Sequence, residues 1–183
     1  MHVQGVAATT IDDVLAASAT SKSQFYQHFE DKAELVYEVI TLRADEVLSW
    51  QRLRLEKVDS FRGLRQWRDA MVQRCALRRG FWGCELGSLA AELADSDDKA
   101  RASLSEHFVE WQALLAAALE RIRDNGVLVA DVDVKSLATG LLAAVEGGYL
   151  LSQTGRGPRL MQSALNMAIG HVASYATAGT AVR

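Results

Sequence analysis

The stretch TSKSQFYQHFEDK, residues 20–32, crowds hydroxyls, amides, a lysine, a tyrosine and a histidine into one short segment of a chain that is otherwise 49% apolar. Only Phe25 and Phe29 are large and apolar there, and their spacing of four sets them on one face of a helix. That face anchors the segment, so Lys22, Ser23, Gln24, Tyr26 and His28 must point away from the core. Such a distribution suits a helix laid in the major groove of DNA, with short polar groups at its N-terminal end for base edges and donors around it for phosphates. Gln24 can pair bidentately with an adenine, and Lys22 can reach a guanine or a phosphate. Ser21 opens the helix, while Thr10, Tyr26, His28 and Lys32 suit phosphate contacts, aided by the positive helix ends at Thr10 and Asp31. Composition alone supports a well-capped, solvated surface helix equally well.

Other chemistries find little support. Cys75 and Cys84 have no metal-like spacing and no company from His2, His28, His107 or His171, so no metal is expected. Ser105, Glu106 and His107 are sequence neighbours that point in different directions on a helix. Nothing else pairs a nucleophile with a base, so the chain does not read as an enzyme, and no cofactor is expected. Two cysteines without a signal peptide point to a reducing cytoplasm. No apolar run approaches the roughly 18 residues of a membrane span. A net charge of −3 and a pI of about 5.8 argue against a protein that coats nucleic acid indiscriminately, and leave room for a local DNA-binding face.

The elements that must position these residues read as helices throughout, given a single proline, Pro158, and little β-type alternation. Thr10-x-x-Asp13, Ser21-x-x-Gln24 and Asp31-x-x-Glu34 each set a capping residue three before an acid or amide. They predict helices over about 10–18, 21–28 and 31 to the mid-fifties. Ser18-Ala19-Thr20 is the tight connection of a helix-turn-helix, with Ala19 where glycine is usual. If Ala19 turns left-handed, the cost is roughly 1 kcal/mol. Beyond Ser60, the stripe Phe61, Leu64, Trp67, Met71, Cys75 predicts a helix that the three glycines of RGFWGCELG end. Further helices are predicted over about 85–94, 97–125, 134–153 and 158–177.

The segment GVAATTIDDVLAASATSKSQFYQHFEDKAELV, Gly5 to Val36, resembles the helix-turn-helix of TetR-family transcriptional regulators. The likeness rests on Gly5, Thr9, Thr10, Ile11, Val14, Ser21, Lys22, Phe25, Tyr26, Phe29, Lys32 and Leu35, a pattern specific as a whole. GCELGSLAAELAD, Gly83 to Asp95, looks like the Gly-Cys-x-Leu-Gly-x-Leu-Ala segment of one subgroup. The resemblance implies an all-α, TetR-like fold, with a DNA-binding domain over 1–45 and a ligand-binding and dimerisation bundle over 46–183. It implies a repressor that a small-molecule effector releases from a palindromic double-stranded operator. It also implies a homodimer built on the last two helices, where Gly140, Ala143, Ala144, Gly147 and Gly148 would meet Ala164, Leu165, Ala168, Ile169 and Val172.

For the effector, a pocket should be apolar with a few polar groups. Trp67, Met71, Phe81, Trp82, Cys84, Phe108, Trp111, Glu146 and Tyr149 are the candidates, against the plainer reading that aromatics at helical spacing are core. Trp82, in a glycine-broken loop, is the aromatic most favoured as a pocket wall. Glu146 on an apolar helix could be a buried carboxylate, although a solvent-facing one is the ordinary expectation. Cys84 opens a helix, whose dipole can lower a thiol pKa and suggest electrophile or oxidant sensing, whereas a buried structural cysteine is the simpler reading.

Family members begin with a helix of about fifteen or more residues ahead of Gly5, of which Met1–Gln4 would be the last turn. The expectation is therefore a fragment or mis-started form of a longer regulator, with Ile11, Val14 and Leu15 partly uncovered. Residues 1–32 carry Lys22 and Lys32 against Asp12, Asp13, Glu30 and Asp31, a net of −2. That balance motivates the rival reading, a dimeric small-molecule-binding or interaction module with impaired DNA binding.

Overall fold

A computed structural model describes residues 5–78 and 83–178. Among these residues the helices are α1 (Gly5–Ala8), α2 (Ile11–Ser18), α3 (Lys22–His28), α4 (Lys32–Leu55), α5 (Phe61–Leu77), α6 (Glu85–Leu93), α7 (Asp98–Asp124), α8 (Val134–Gly155) and α9 (Arg159–Ala173). The all-helical expectation holds.

The predicted caps form. Thr10 Oγ1 accepts from the Asp13 N–H at 3.1 Å while Asp13 accepts from the Thr10 N–H at 2.8 Å. Ser21 and Gln24 repeat that reciprocal pair, and Asp31 accepts from the Glu34 N–H at 2.9 Å. Ala19 does turn left-handed, at φ 54°, so α2 and α3 meet in a turn without the usual glycine. The strain is about 1 kcal/mol, offset by the hydrogen bond its N–H donates to the Leu15 carbonyl.

Above this unit, α4 runs unbroken past residue 45 and carries the chain into a bundle. The stripe read in α5 is fully buried, as are Leu104, Trp111, Leu115, Ala118 and Ile122 of α7. Helices α8 and α9 pack side by side because Gly148 has no side chain: a Cβ there would stand 2.7 Å from Met161 Sδ.

Two helix ends differ from expectation. Helix α8 runs two residues further, to Gly155, and Arg156 ends it in a left-handed conformation at φ 53°. Helix α9 stops at Ala173, four residues short of position 177. The loop after α7, opened by Gly126 at φ 73°, leaves backbone groups without helical partners. The Val129 N–H donates to the Tyr175 carbonyl and the Thr177 N–H to that of Val127, each at 3.0 Å, so the chain leaves the helix to satisfy them.

Candidate nucleic-acid interface and effector site

Helix α3 buries Phe25 and leaves Ser21, Lys22, Ser23, Gln24, Tyr26 and His28 on the surface, as its pattern requires. Thr10 is likewise exposed, at the start of α2. Gln24 has a second task, since its Oε1 accepts from the Ser21 N–H at 2.8 Å and leaves the amide N–H₂ to donate outward. Lys32, expected at a phosphate, is engaged within the protein. Its Nζ donates to the Val6 carbonyl at 2.6 Å and to that of Ala7 at 3.4 Å, so the ammonium caps α1.

That single turn is held at its other side by α6. Glu92 Oε1 accepts from the Ala7 N–H at 2.7 Å, and Gly5, at φ 81°, leaves the space in which a Cβ would stand 2.9 Å from the same carboxylate. Helix α2 contributes no fully buried residue: Ile11, Val14 and Leu15 are only half-covered, as expected.

At the opposite end of α6 four of the candidate effector residues come together. Cys84 is the N-cap of α6 and is buried, with Glu146 beside it from α8. The buried cysteine of the simpler reading is what the fold places here, and the helix start does not activate the thiol. Burial pushes the Cys84 thiol well up, the negative Glu146 adds to this, and the backbone N–H groups of Gly87 and Leu86 oppose it only in part. Both cysteines are buried and unbridged.

Glu146 is the second correction. Its carboxyl turns into the protein instead of toward solvent, because Gly87 on α6 presents no side chain there: a Cβ at Gly87 would overlap Glu146 Oε2. Burial raises its pKa to about 7, against a smaller opposing effect of the Cys84 thiol, and Oε1 has no hydrogen-bond partner. Trp111 is also buried with its indole N–H unpartnered. Tyr149 completes the group, its hydroxyl pushed well up by burial. Between Cys84, Trp111 and Tyr149 lies a crevice of about 10 Å³, room for at most one water.

Trp67 and Met71 do not join this crevice. The Trp67 Nε1–H donates to Gln51 Oε1 at 2.9 Å and Gln51 Nε2–H donates to Met71 Sδ at 3.3 Å, so both are tied into the core through a buried amide. Phe108 is half-buried against the core. Phe81 and Trp82 lie outside the described residues. Sequence reasoning missed Gln51, Trp50, Arg74 and Glu85, which also line the crevice. A polar Gln51 buried between the apolar positions Val47, Leu48 and Leu55 was the available signal.

The outer side of α8 and α9 carries a groove of about 1070 Å³ with mainly apolar walls. Gly140 and Gly147 open onto it with nothing near their missing Cβ atoms, and Leu151 and Met167 line it at 50% and 73% exposure. Ala143, Ala144, Ala164 and Ala168 line it too. Leu165 and Ile169, expected on the same face, are buried and do not line the groove, Val172 is buried in its wall, and Gly148 is closed over by Met161. The small-residue pattern thus divides between internal packing and a free surface.

Among the described residues no helix is long and apolar enough to cross a membrane. Residues 62–168 match the family model described as tetracyclin repressor-like, C-terminal domain, and residues 1–39 match that of bacterial regulatory proteins, tetR family. An uncharacterized HTH-type transcriptional regulator from the lacX 3′ region of Lactococcus lactis subsp. lactis is 27% identical over 168 residues, covering 89% of this chain and 82% of the relative. The HTH-type transcriptional repressor DhaR of Mycobacterium sp. strain GP1 is 24% identical, covering 80% and 73%. A crystal structure of a regulatory protein TetR from Rhodobacter sphaeroides superimposes with a TM-score of 0.82 at 23% identity, covering 93% of this chain and 91% of that one.

Proposed function

The chain belongs to the TetR family of bacterial transcriptional regulators, and on that premise we propose that it represses from a palindromic operator as a homodimer, until a small molecule entering the α4–α8 core releases it. The observation that carries this reading is α6. One end of that helix meets Glu146 through Cys84 and Gly87, and the other holds the backbone of α1 through Glu92. A ligand that pairs the free Trp111 N–H or the Glu146 carboxyl must widen a crevice too small for it, and α6 is a movable wall. Displacing α6 shifts α1 and with it the recognition helices of the two protomers. Two half-sites about 34–36 Å apart tolerate little change in that separation.

Dimerisation through α8 and α9 is supported by the groove and by Met167 and Leu151, since monomeric proteins seldom leave so continuous an apolar face to water. A twofold pairing would also match a palindromic site. The DNA-binding residues of this reading are Thr10, Ser21, Lys22, Ser23, Gln24, Tyr26 and His28, with Lys32 supporting them through α1.

The test pairs light scattering with binding to DNA flanking the chain's own gene. A dimer that binds one duplex per two chains supports the reading. A folded dimer that binds no such DNA favours a ligand-binding module in which the acidic N-terminal unit no longer engages phosphates.

A further inference from the structure

Away from the buried Glu146 cluster, α4 and α5 form an outer groove of about 330 Å³ with an unusual charge pattern. Trp50 and Arg54 stand one turn apart on α4, while Arg74 lies in the last turn of α5 and Arg78 caps its C-terminus. Arg54 and Arg74 both lie against the Trp50 indole, with their Cζ atoms 5.4 and 5.0 Å from the ring centroid. Two guanidinium groups from different helices thus share one ring, and neither has an ion-pair partner among the described residues. Arg78 is balanced in part by Glu85, at 2.8 Å.

Several other arginines are settled by acids or carbonyls: Arg43 by Glu46, Arg52 by Glu110, Arg121 by the carbonyls of Leu55 and Val58. Among the described residues no acid lines the outer groove, whose remaining walls are Gln73, Ala70 and Leu77, the last 79% exposed. Arg54 and Arg74 together, with only Arg78 beside them paired to an acid, leave the groove with a net positive charge that an anion would balance. The indole holds both guanidinium planes in place, which lowers the entropy lost when they grip a second partner.

We propose that this groove binds a small organic carboxylate, its oxygens held by Arg54 and Arg74 and its short apolar part lying on Ala70 and Leu77. The planar fork of arginine matches a carboxylate bidentately, and Gln73 offers a further amide donor. Trp50 and Arg74 also line the inner crevice beside Cys84 and Trp111. An anion drawing Arg74 outward therefore acts on the same core that α6 closes. This assignment rests on the reading that the bundle takes an effector, and adds an anion site on the outer face of the core that the effector enters.

The test is calorimetric titration of the full chain, without DNA, with sodium benzoate, with neutral benzamide of the same shape, and with inorganic phosphate. Benzoate is expected to bind saturably, more weakly at high salt, and at least about tenfold more tightly than benzamide, the factor that charge-assisted hydrogen bonds supply. The double variant Arg54→Gln/Arg74→Gln should lose this binding. Arg54→Gln alone, at an exposed position, serves if the double variant fails to fold, and should weaken it about tenfold. Equal binding of benzoate and benzamide, phosphate binding without benzoate, or binding unchanged in the variants overturns the proposal. Because DNA is absent, a failure here is separate from a failure to find an operator, and operator release is then read in a second titration.

Discussion

The backbone N–H of Ala7 donates to Glu92 Oε1 across 2.7 Å, and this one bond ties the first turn of the DNA-binding unit to the helix that closes the interior of the large domain. Lys32 caps the same turn from the other side. The position of α1 is thus set by one acid from the bundle and one base from its own unit.

Glu92→Ala should loosen α1 and leave the bundle intact. The bond is exposed, so global stability should fall by no more than about 1 kcal/mol. Operator affinity should drop several-fold, because the unit that carries α3 is less well held. Urea unfolding followed alongside DNA titration separates the two, and equal losses in both would contradict the role given to Glu92.

Glu146 makes stability depend on pH in a predictable direction. Its folded-state pKa of about 7 stands above the ordinary 4.5, so between those values the folded chain holds a proton that the unfolded chain has released. The stability this group contributes is full below about pH 4.5 and falls as pH rises to 7, by about 3 kcal/mol. Glu146→Gln removes that dependence. The variant should therefore gain on the parent as pH rises from 5 to 8, when both are unfolded in urea. Parallel curves for the two proteins would mean that the carboxyl is solvated.

Lys22 and Lys32 should behave differently although both are lysines near the DNA face. Lys22→Ala removes a phosphate contact, which lowers the salt slope of binding by about one unit and leaves folding unchanged. Lys32→Ala frees the carbonyls of Val6 and Ala7 and should lower the thermal stability of the N-terminal unit first. Gln24→Glu keeps the cap to the Ser21 N–H but loses the outward donor. It should change base preference at one operator position by about 1–3 kcal/mol with little effect on stability. Differential scanning calorimetry and a binding selection against randomised half-sites read these outcomes.

Gly147 and Gly148 are adjacent yet should respond in opposite ways. Gly147→Leu meets open space within the chain, so the monomer fold should persist while the α8–α9 face is blocked and the mass in light scattering halves. Gly148→Ala drives a Cβ toward Met161 and should destabilise the fold by about 1–3 kcal/mol. A dimer that survives Gly147→Leu would place the association surface elsewhere.

Much of this molecule is legible in local sequence, for local reasons. The caps at Thr10 and Ser21, the left-handed Ala19 and the buried stripe of α5 depend on residues within four positions of one another, which is the range of helical physics. What the sequence hides is decided across helices. Glu146 turns inward because Gly87, on another helix, makes room. Lys32 is diverted to carbonyls twenty-six and twenty-five residues away. Helix α9 ends early because Val127 and Val129 compete for its last turn. The Arg54–Trp50–Arg74 cluster exists only once α4 and α5 lie together, although Trp50 and Arg54 already stand four apart in the sequence. In the site, the exposed residues of α3 were readable from polarity, while the buried ones required knowing which of many apolar faces meet.

The central claim is that two copies of α3 read a DNA duplex. The most direct measurement is fluorescence anisotropy with DNA flanking the chain's own gene, repeated from 50 to 300 mM salt. Saturation is expected at two chains per duplex, with an affinity that falls steeply and log-linearly with salt. Binding that is absent, or flat across that range, in a protein that remains a folded dimer would contradict it.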